Sequence, residues 1–148
     1  MKAEKTVLDV QTVELNLPSK LGYERVAIGS LAAFAKIVGF SSPRIEDLKT
    51  SVAEACINAM QHGNRGKPDA RVLVAIRFQA DLLYVSVSDE GDGLKADPKD
   101  PDIERILERL DPPVGFGVFL MKRLMDKVEF NRTSNHRHEV RMMMKLTG

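Results

Sequence analysis

The chain has 148 residues, of which 43% are hydrophobic and 29% charged, a composition typical of one soluble globular domain with its own core. Its 22 basic and 21 acidic residues leave a formal net charge of +1, so the charge gives no reason to expect direct contact with nucleic acid or an anionic membrane. The single cysteine, Cys56, excludes an intrachain disulfide. The N-terminus lacks a signal-peptide core, and no apolar run approaches the ~20 residues needed to cross a bilayer. We therefore expect a single cytoplasmic domain over residues 1–148.

The first part of the chain predicts a strand followed by a helix. Branched residues alternate loosely over 7–17, which indicates a strand that ends near Pro18. Over 21–38 the apolar residues recur with a helical period, and Gly39 stops the pattern.

A second helix is predicted from Ser42 onward. A capping hydroxyl at Ser42 followed by Pro43 at the first helical position is a typical helix start. A core-facing apolar stripe follows, and Gly63 is interpreted as the C-cap.

The second half predicts two pairs of strands. Residues 71–78 and 82–88 alternate and are joined by a short turn, which predicts an antiparallel hairpin. The chain closes with strands at 127–130 and 139–146. Because neighbouring strands run antiparallel, we expect an α+β fold, a two-layer α/β sandwich with one mixed, mainly antiparallel sheet and helices on one face.

Between these strand pairs, the composition changes twice. Residues 94–114 carry four prolines around a short amphipathic piece and are interpreted as a lid-like loop. Residues 117–126 return to a helical pattern.

Glu54 and Asn58 lie four residues apart in the second predicted helix, so their side chains share one helical face. Their neighbours are apolar, which places them near the core boundary. A charged side chain there is expected to be paired or to have a functional role. An amide oxygen suits Mg²⁺, which takes oxygen ligands beside substrate phosphates. A carboxylate one turn away can accept a proton from an attacking hydroxyl. Taken alone, such a pair more often faces solvent.

The segment 89–93, of sequence DEGDG, ends a predicted strand. Gly91 and Gly93 permit positive φ and let a flat ligand approach the main chain. The carboxylate of Asp89 can accept a hydrogen bond from an exocyclic amine such as that of adenine. An acidic glycine-rich turn without a ligand is the common alternative. A Ca²⁺ loop fits less well because its twelfth-position glutamate is missing.

Glycines also open the helix predicted after residue 114. Gly115 and Gly117 flank Phe116 where bare N–H groups and the helix dipole can bind phosphate. Tight packing is the alternative reason for glycine at these positions. The spacing and lysine of a P-loop are missing, and no early glycine-rich turn supports a dinucleotide fold.

The order of these pieces resembles the N-box, G1 box and G2 box of the GHKL (Bergerat-fold) ATPase superfamily. Within it, the segments 54–63, 87–93 and 115–126 are similar to those of the bacterial anti-sigma-factor serine/threonine protein kinases. The resemblance covers nearly the whole chain. It implies the histidine-kinase-like ATPase fold, with ATP and Mg²⁺ as cofactors.

The resemblance also implies roles for the matching residues. Glu54 would be the general base, Asn58 would ligate Mg²⁺, and Asp89 would bond the adenine amino group. Catalysis would then depend mainly on positioning and charge neutralisation around the phosphoryl group. The other residues implied in nucleotide binding are Gly91, Gly93, Gly115, Phe116, Gly117 and Val118.

The implied partners are a sigma factor and a small STAS-domain anti-anti-sigma protein, which the kinase would phosphorylate. Arg25 aligns with an arginine that relatives use at the partner surface, and a homodimer is expected from the family alone. Arg137 and His138 stand where relatives often carry Gly-Thr. This departure puts the threonine contact to adenine in question and leaves open that His138 is only an exposed loop histidine.

Three alternatives stay open. The chain could be a partner-switching binding module without kinase activity, a GHKL kinase domain for a non-sigma target, or a detached histidine-kinase catalytic domain. Glu54 favours a kinase over a binding module because the residue needed for proton handling is present. The last alternative is disfavoured because the sequence shows no upstream helical hairpin with a phospho-accepting histidine.

Overall fold

A computed structural model describes residues 11–91, 116–133 and 137–147, so the predicted lid at 94–114 lies outside the described residues. Within these residues, five antiparallel strands form one sheet in the order β1-β2-β3-β5-β4, with the helices on one face. The predicted α+β class is therefore confirmed. The strands are β1 (Gln11–Pro18), β2 (Arg71–Gln79), β3 (Leu82–Asp89), β4 (Lys127–Arg132) and β5 (His138–Lys145). The helices are α1 (Glu24–Val38), α2 (Ser42–Asn58) and α3 (Phe116–Leu124).

The core lies between the helices and one face of the sheet. Alternate strand residues point to opposite faces, and those that face the helices are branched or sulfur-containing. Met142 and Met144 of β5 are buried in this layer. The buried strand residues of the layer are Leu17, Val72, Val74, Ile76, Leu83, Val85, Val87, Met142 and Met144.

The hairpin between β2 and β3 is confirmed. Gln79 pairs with Leu82, and the two residues between them, Ala80 and Asp81, have φ of 53° and 62°. Two successive positive φ values are typical of the type I′ turn, whose twist matches that of the flanking strands.

The helix termini differ from the prediction in detail. α1 ends as predicted, with Gly39 in the left-handed region at φ 105°. The predicted cap at Ser42 is wrong: Ser42 is already the first residue of α2, and the N-cap is Ser41, whose hydroxyl makes no capping hydrogen bond. Its φ of −72° and ψ of 157° place the cap one residue earlier, and Pro43 follows within the first turn.

The C-terminus of α2 is also different. The helix widens into a π-helical turn over Ala59–Gly63, which the N–H of Asn64 closes by donating to the Ala59 carbonyl at 2.8 Å. Gly63 has no positive φ, so its predicted C-cap role is wrong. A glycine is required there for space: a Cβ would lie 2.8 Å from Oδ1 of Asp89 and closer still to the rest of that carboxylate. The π turn therefore brings the end of α2 against the end of β3, as such turns often do at functional sites.

Candidate functional site

One pocket forms where α2 and its π turn meet the ends of β3 and β5. The space inside it, open solvent included, is about 390 Å³. Three of its polar side chains are those of Asn58, Asp89 and His138. Its apolar side chains belong to Ala55, Ala59, Met121, Phe130 and Val140. An apolar slot with a few polar groups can hold a flat heterocycle and fix its orientation.

Asp89 is the last residue of β3 and is only 6% exposed. Its Oδ1 accepts a hydrogen bond from the Gly91 N–H at 3.0 Å, and the carboxylate packs on Gly63. Because a buried carboxylate is stable only with hydrogen-bond donors around it, an amino group of a ligand in the pocket suits this residue.

Gly91 lies so close to the π turn that a side chain would not fit. A Cβ there would overlap the Gly63 carbonyl and lie 3.4 Å from the Asn64 nitrogen. Gly91 is not among the described residues with positive φ, so close backbone approach, and not a special backbone conformation, is the reason for glycine. Gly93 lies outside the described residues.

Glu54 and Asn58 are both half-buried, which argues against a simple solvated pair. Asn58 lines the pocket, whereas the Glu54 carboxylate lies against Gly117 of α3. A Cβ at Gly117 would be 3.2 Å from Cδ of Glu54 and closer to Oε2. The carboxylate thus lies beside the first turn of α3, where the helix dipole favours negative charge.

The remaining predicted residues of the glycine-opened helix are only partly described. Phe116 begins α3, and Val118 is 3% exposed and belongs to the core, so only its main chain could face a ligand. Gly115 lies outside the described residues. The roles predicted for these residues in nucleotide binding stay predictions.

His138 is not an exposed loop residue. It begins β5, is 9% exposed, and pairs directly with Asp89 across the sheet. The reason is that β5 starts one residue earlier than predicted, so alternation places His138 on the same face as Val140 and Met142. His138 therefore lines the pocket beside Asp89.

Two further residues support the site: Asn64 was not singled out from the sequence, and Arg137 was noted only as a departure from the family pattern. Asn64 is 3% exposed and hydrogen-bonds the main chain just after Asp89, while the guanidinium of Arg137 contacts Ser88 and Glu90. Asn64 offered one weak signal: asparagine is a turn-forming residue, and it directly follows a glycine. Arg137 offered none, because its contacts come from other strands.

Other candidate residues lie away from the pocket centre. Arg25 is exposed on α1, and His62 is exposed at the pocket rim. Burial raises the pKa of the Cys56 thiol to about 12, with the negative charge of Glu24 as a second cause, so this thiol is an unreactive part of the core.

Two kinds of feature are absent from the part of the chain that the structure describes. Within residues 11–91, 116–133 and 137–147, no three His, Cys, Asp or Glu side chains converge as metal ligands. Across the same part of the chain, none of the helices is long and apolar enough to span a membrane.

This chain is similar to known proteins both in sequence and in fold. The sequence profile of the histidine kinase-like ATPase domain matches residues 17–144. The serine-protein kinase RsbW of Bacillus subtilis is 33% identical over 129 residues, covering 84% of this chain and 78% of that protein. RsbW of Bacillus pumilus is 34% identical over 132 residues, with coverage of 84% and 81%. A chain of the SiaB-SiaC complex from Pseudomonas aeruginosa has the same fold, with a TM-score of 0.70, 14% identity and coverage of 97% and 95%.

Proposed function

The chain belongs to the family of histidine kinase-like ATPase domains and, within it, to the RsbW-type serine-protein kinases, and from this membership we propose that it is an anti-sigma factor that works by partner switching. It binds a sigma factor and transfers the γ-phosphoryl group of ATP to a serine or threonine of a STAS-domain anti-anti-sigma protein. The observation that carries this proposal is the position of Glu54 beside the start of α3, one helical turn from an Asn58 that shares a pocket with Asp89.

The pocket receives the adenine base. Asp89 accepts a hydrogen bond from the exocyclic amine, and the apolar side chains around it contact the ring. The phosphates then extend past Asn58 toward the start of α3. Gly91 supports this arrangement by keeping the strand end close to the π turn.

The donor set on α2 fits Mg²⁺. Asn58 offers an amide oxygen inside the pocket, and Mg²⁺ is usually held by one or two protein oxygens together with waters and substrate phosphates. When bound, this ion neutralises phosphate charge. Asn58 would hold it on the side of the pocket nearest α2.

Glu54 is the proton acceptor. As the substrate hydroxyl oxygen forms its bond to the γ-phosphorus, the bond from that phosphorus to the β–γ bridging oxygen breaks and ADP leaves. The hydroxyl proton passes to the Glu54 carboxylate. The contact with Gly117 restricts where this carboxylate can lie, and correct placement of reacting groups accounts for much of the rate in such transfers.

The protein is further proposed to act in the cytoplasm as a homodimer, with exposed Arg25 on α1 at the surface that receives the partner. The second candidate is a binding module that switches partners without phosphoryl transfer, or a kinase domain of the same kind for a non-sigma target. Glu54 favours the kinase because a module without transfer has no use for a carboxylate held at the start of α3.

A capture experiment from native cell extract tests the partners. Tagged protein is incubated with extract in the presence of ATP or ADP, and the bound proteins are identified by mass spectrometry. We expect a sigma factor in one nucleotide state and a STAS-domain protein in the other, phosphorylated only when ATP is present. Recovery of a STAS-domain protein with a non-sigma partner favours the second candidate, and recovery of neither contradicts the anti-sigma role.

A further inference from the structure

The buried carboxamide of Asn64 forms hydrogen bonds with three other parts of the chain. Its Oδ1 accepts a hydrogen bond from the main-chain N–H of Glu90 at 2.7 Å. Its Nδ2 donates to the hydroxyl of Ser19 at 3.0 Å and to the carbonyl of Arg71 at 3.1 Å. At 3% exposure, Asn64 is almost inaccessible to water that could replace these partners.

The bond to Glu90 lies directly after the last residue of β3. Glu90 directly follows Asp89, and Asn64 directly follows Gly63, against which both Asp89 and Gly91 pack. The polar bond and the glycine contacts therefore join the same two segments. Their combined effect is to hold the end of β3 at a fixed distance from the π turn of α2.

The side chain of Glu90 provides a second, weaker attachment on the outside of the sheet. Its Oε2 accepts the Arg71 N–H at 2.7 Å, and its Oε1 lies 3.6 Å from the guanidinium of Arg137. The Glu90 side chain is 44% exposed, so solvent screens this ion pair. Asn64 is thus the buried and better shielded of the two attachments.

We infer that Asn64 is a positioning residue for recognition of the nucleotide base. It does not line the base pocket itself. It acts through Asp89, whose carboxylate it holds at the depth where an exocyclic amino group can be bound. This inference rests on the proposed function, since it takes an adenine nucleotide as the ligand.

Calorimetry with two nucleotides tests the inference. ATP carries the amino group, whereas ITP carries a carbonyl oxygen at the same ring position. We expect the wild-type protein to prefer ATP, and Asn64→Ala to weaken ATP binding by about tenfold, the effect of one lost hydrogen bond between pocket and ligand. ITP binding should change much less, so the ratio of the two affinities should fall. Asn131→Ala, at an exposed asparagine of β4, is the matched control and should leave both affinities unchanged.

A double-mutant cycle separates positioning from a general loss of stability. If Asn64 acts through Asp89, then Asn64→Ala should add little to the ATP loss already caused by Asp89→Asn. Fully additive losses, or an unchanged ATP to ITP ratio in a folded Asn64→Ala protein, would overturn the inference. Equal wild-type binding of ATP and ITP would also overturn it while leaving a kinase intact, whereas no ATP binding at all would instead remove the proposed function.

Ser19→Ala keeps the test decisive if Asn64→Ala does not fold. It removes one acceptor of the Asn64 amide and leaves the bond to Glu90 in place. We expect the ATP to ITP ratio to fall in the same direction but only by about twofold, because a neutral hydrogen bond is worth little net free energy. An unchanged ratio in this variant counts against the inference.

Discussion

The Glu54 carboxylate lies against the α-carbon of Gly117, so close that a side chain at residue 117 would displace it. A Cβ there would be 3.2 Å from Cδ of Glu54 and nearer to Oε2. This contact joins the C-terminal part of α2 to the first turn of α3. The absence of a side chain at residue 117 therefore leaves space for the carboxylate that we propose as the base. This steric explanation for the glycine is independent of phosphate binding.

Gly117→Ala should displace Glu54 and slow phosphoryl transfer by up to about a hundredfold, since a misplacement of about 1 Å can have that effect on a reaction. ATP affinity should change less, because the pocket around Asp89 is not touched. The measurement is the initial rate of label transfer from ATP to a STAS-domain substrate, with ATP affinity from calorimetry.

The matched control is Gly29→Ala in α1. A Cβ at Gly29 meets nothing within 4 Å and its φ is ordinary, so transfer should be unchanged and the free energy of unfolding should rise by about 0.5–1 kcal/mol from better helix propensity. A wild-type transfer rate in Gly117→Ala would show that the contact with Glu54 has no functional role.

Asn58→Ala should weaken ATP binding by about tenfold when Mg²⁺ is present, because the proposed amide ligand is removed. In excess EDTA the wild-type and variant affinities should become similar. Gln61→Ala, at an exposed position of the π turn outside the pocket lining, serves as control. An equal loss of affinity with and without Mg²⁺ would mean that Asn58 contacts the nucleotide directly and does not bind the metal.

His138→Ala should lower ATP affinity by about three- to tenfold, because it removes a buried pocket side chain beside Asp89 and leaves a larger, wetter slot. His62→Ala, at the exposed rim of the same pocket, should have a smaller effect. Calorimetry on both variants decides the matter: if His62→Ala loses more affinity than His138→Ala, the base does not lie beside Asp89.

Ala80→Gly should stabilise the fold by about 0.5–1 kcal/mol, because Ala80 has φ 53° in the turn between β2 and β3 and glycine adopts that conformation without strain. Ala75→Gly, inside β2, should destabilise by a similar amount, because glycine there only adds backbone freedom to the unfolded chain. Urea unfolding of both variants gives the comparison. Destabilisation by Ala80→Gly would mean that the turn does not have the positive φ described here.

The sequence predicted the elements well because their signals are local. Alternation in β2 and β3 and the helical period of α2 both reflect which face is buried. The order of motifs also indicated correctly that Asn58 and Asp89 belong to the same part of the protein. Gly63 was misjudged because a glycine after a helical pattern usually caps the helix, whereas here it makes room for a carboxylate from β3.

The less predictable features depend on tertiary contacts or on the residue at which a strand begins. His138 was misjudged because β5 begins at residue 138, one position before the predicted strand, so that His138 belongs to the sheet and alternation places it on the same face as Val140. The partners of Asn64 lie 45, 7 and 26 residues away in sequence. No local pattern encodes such a set, so the support of Asp89 becomes visible only in the folded chain.

The role of Glu54 as the base is tested by comparing ATP binding and phosphoryl transfer in Glu54→Gln. The variant keeps the size of the side chain but cannot accept the hydroxyl proton, so calorimetry should give an ATP affinity close to that of the wild type while label transfer to the STAS-domain substrate falls by about two to four orders of magnitude. Glu46→Gln, at an exposed glutamate on the same helix, should bind and transfer normally. Transfer at the wild-type rate by Glu54→Gln would contradict the assignment of Glu54 as the base.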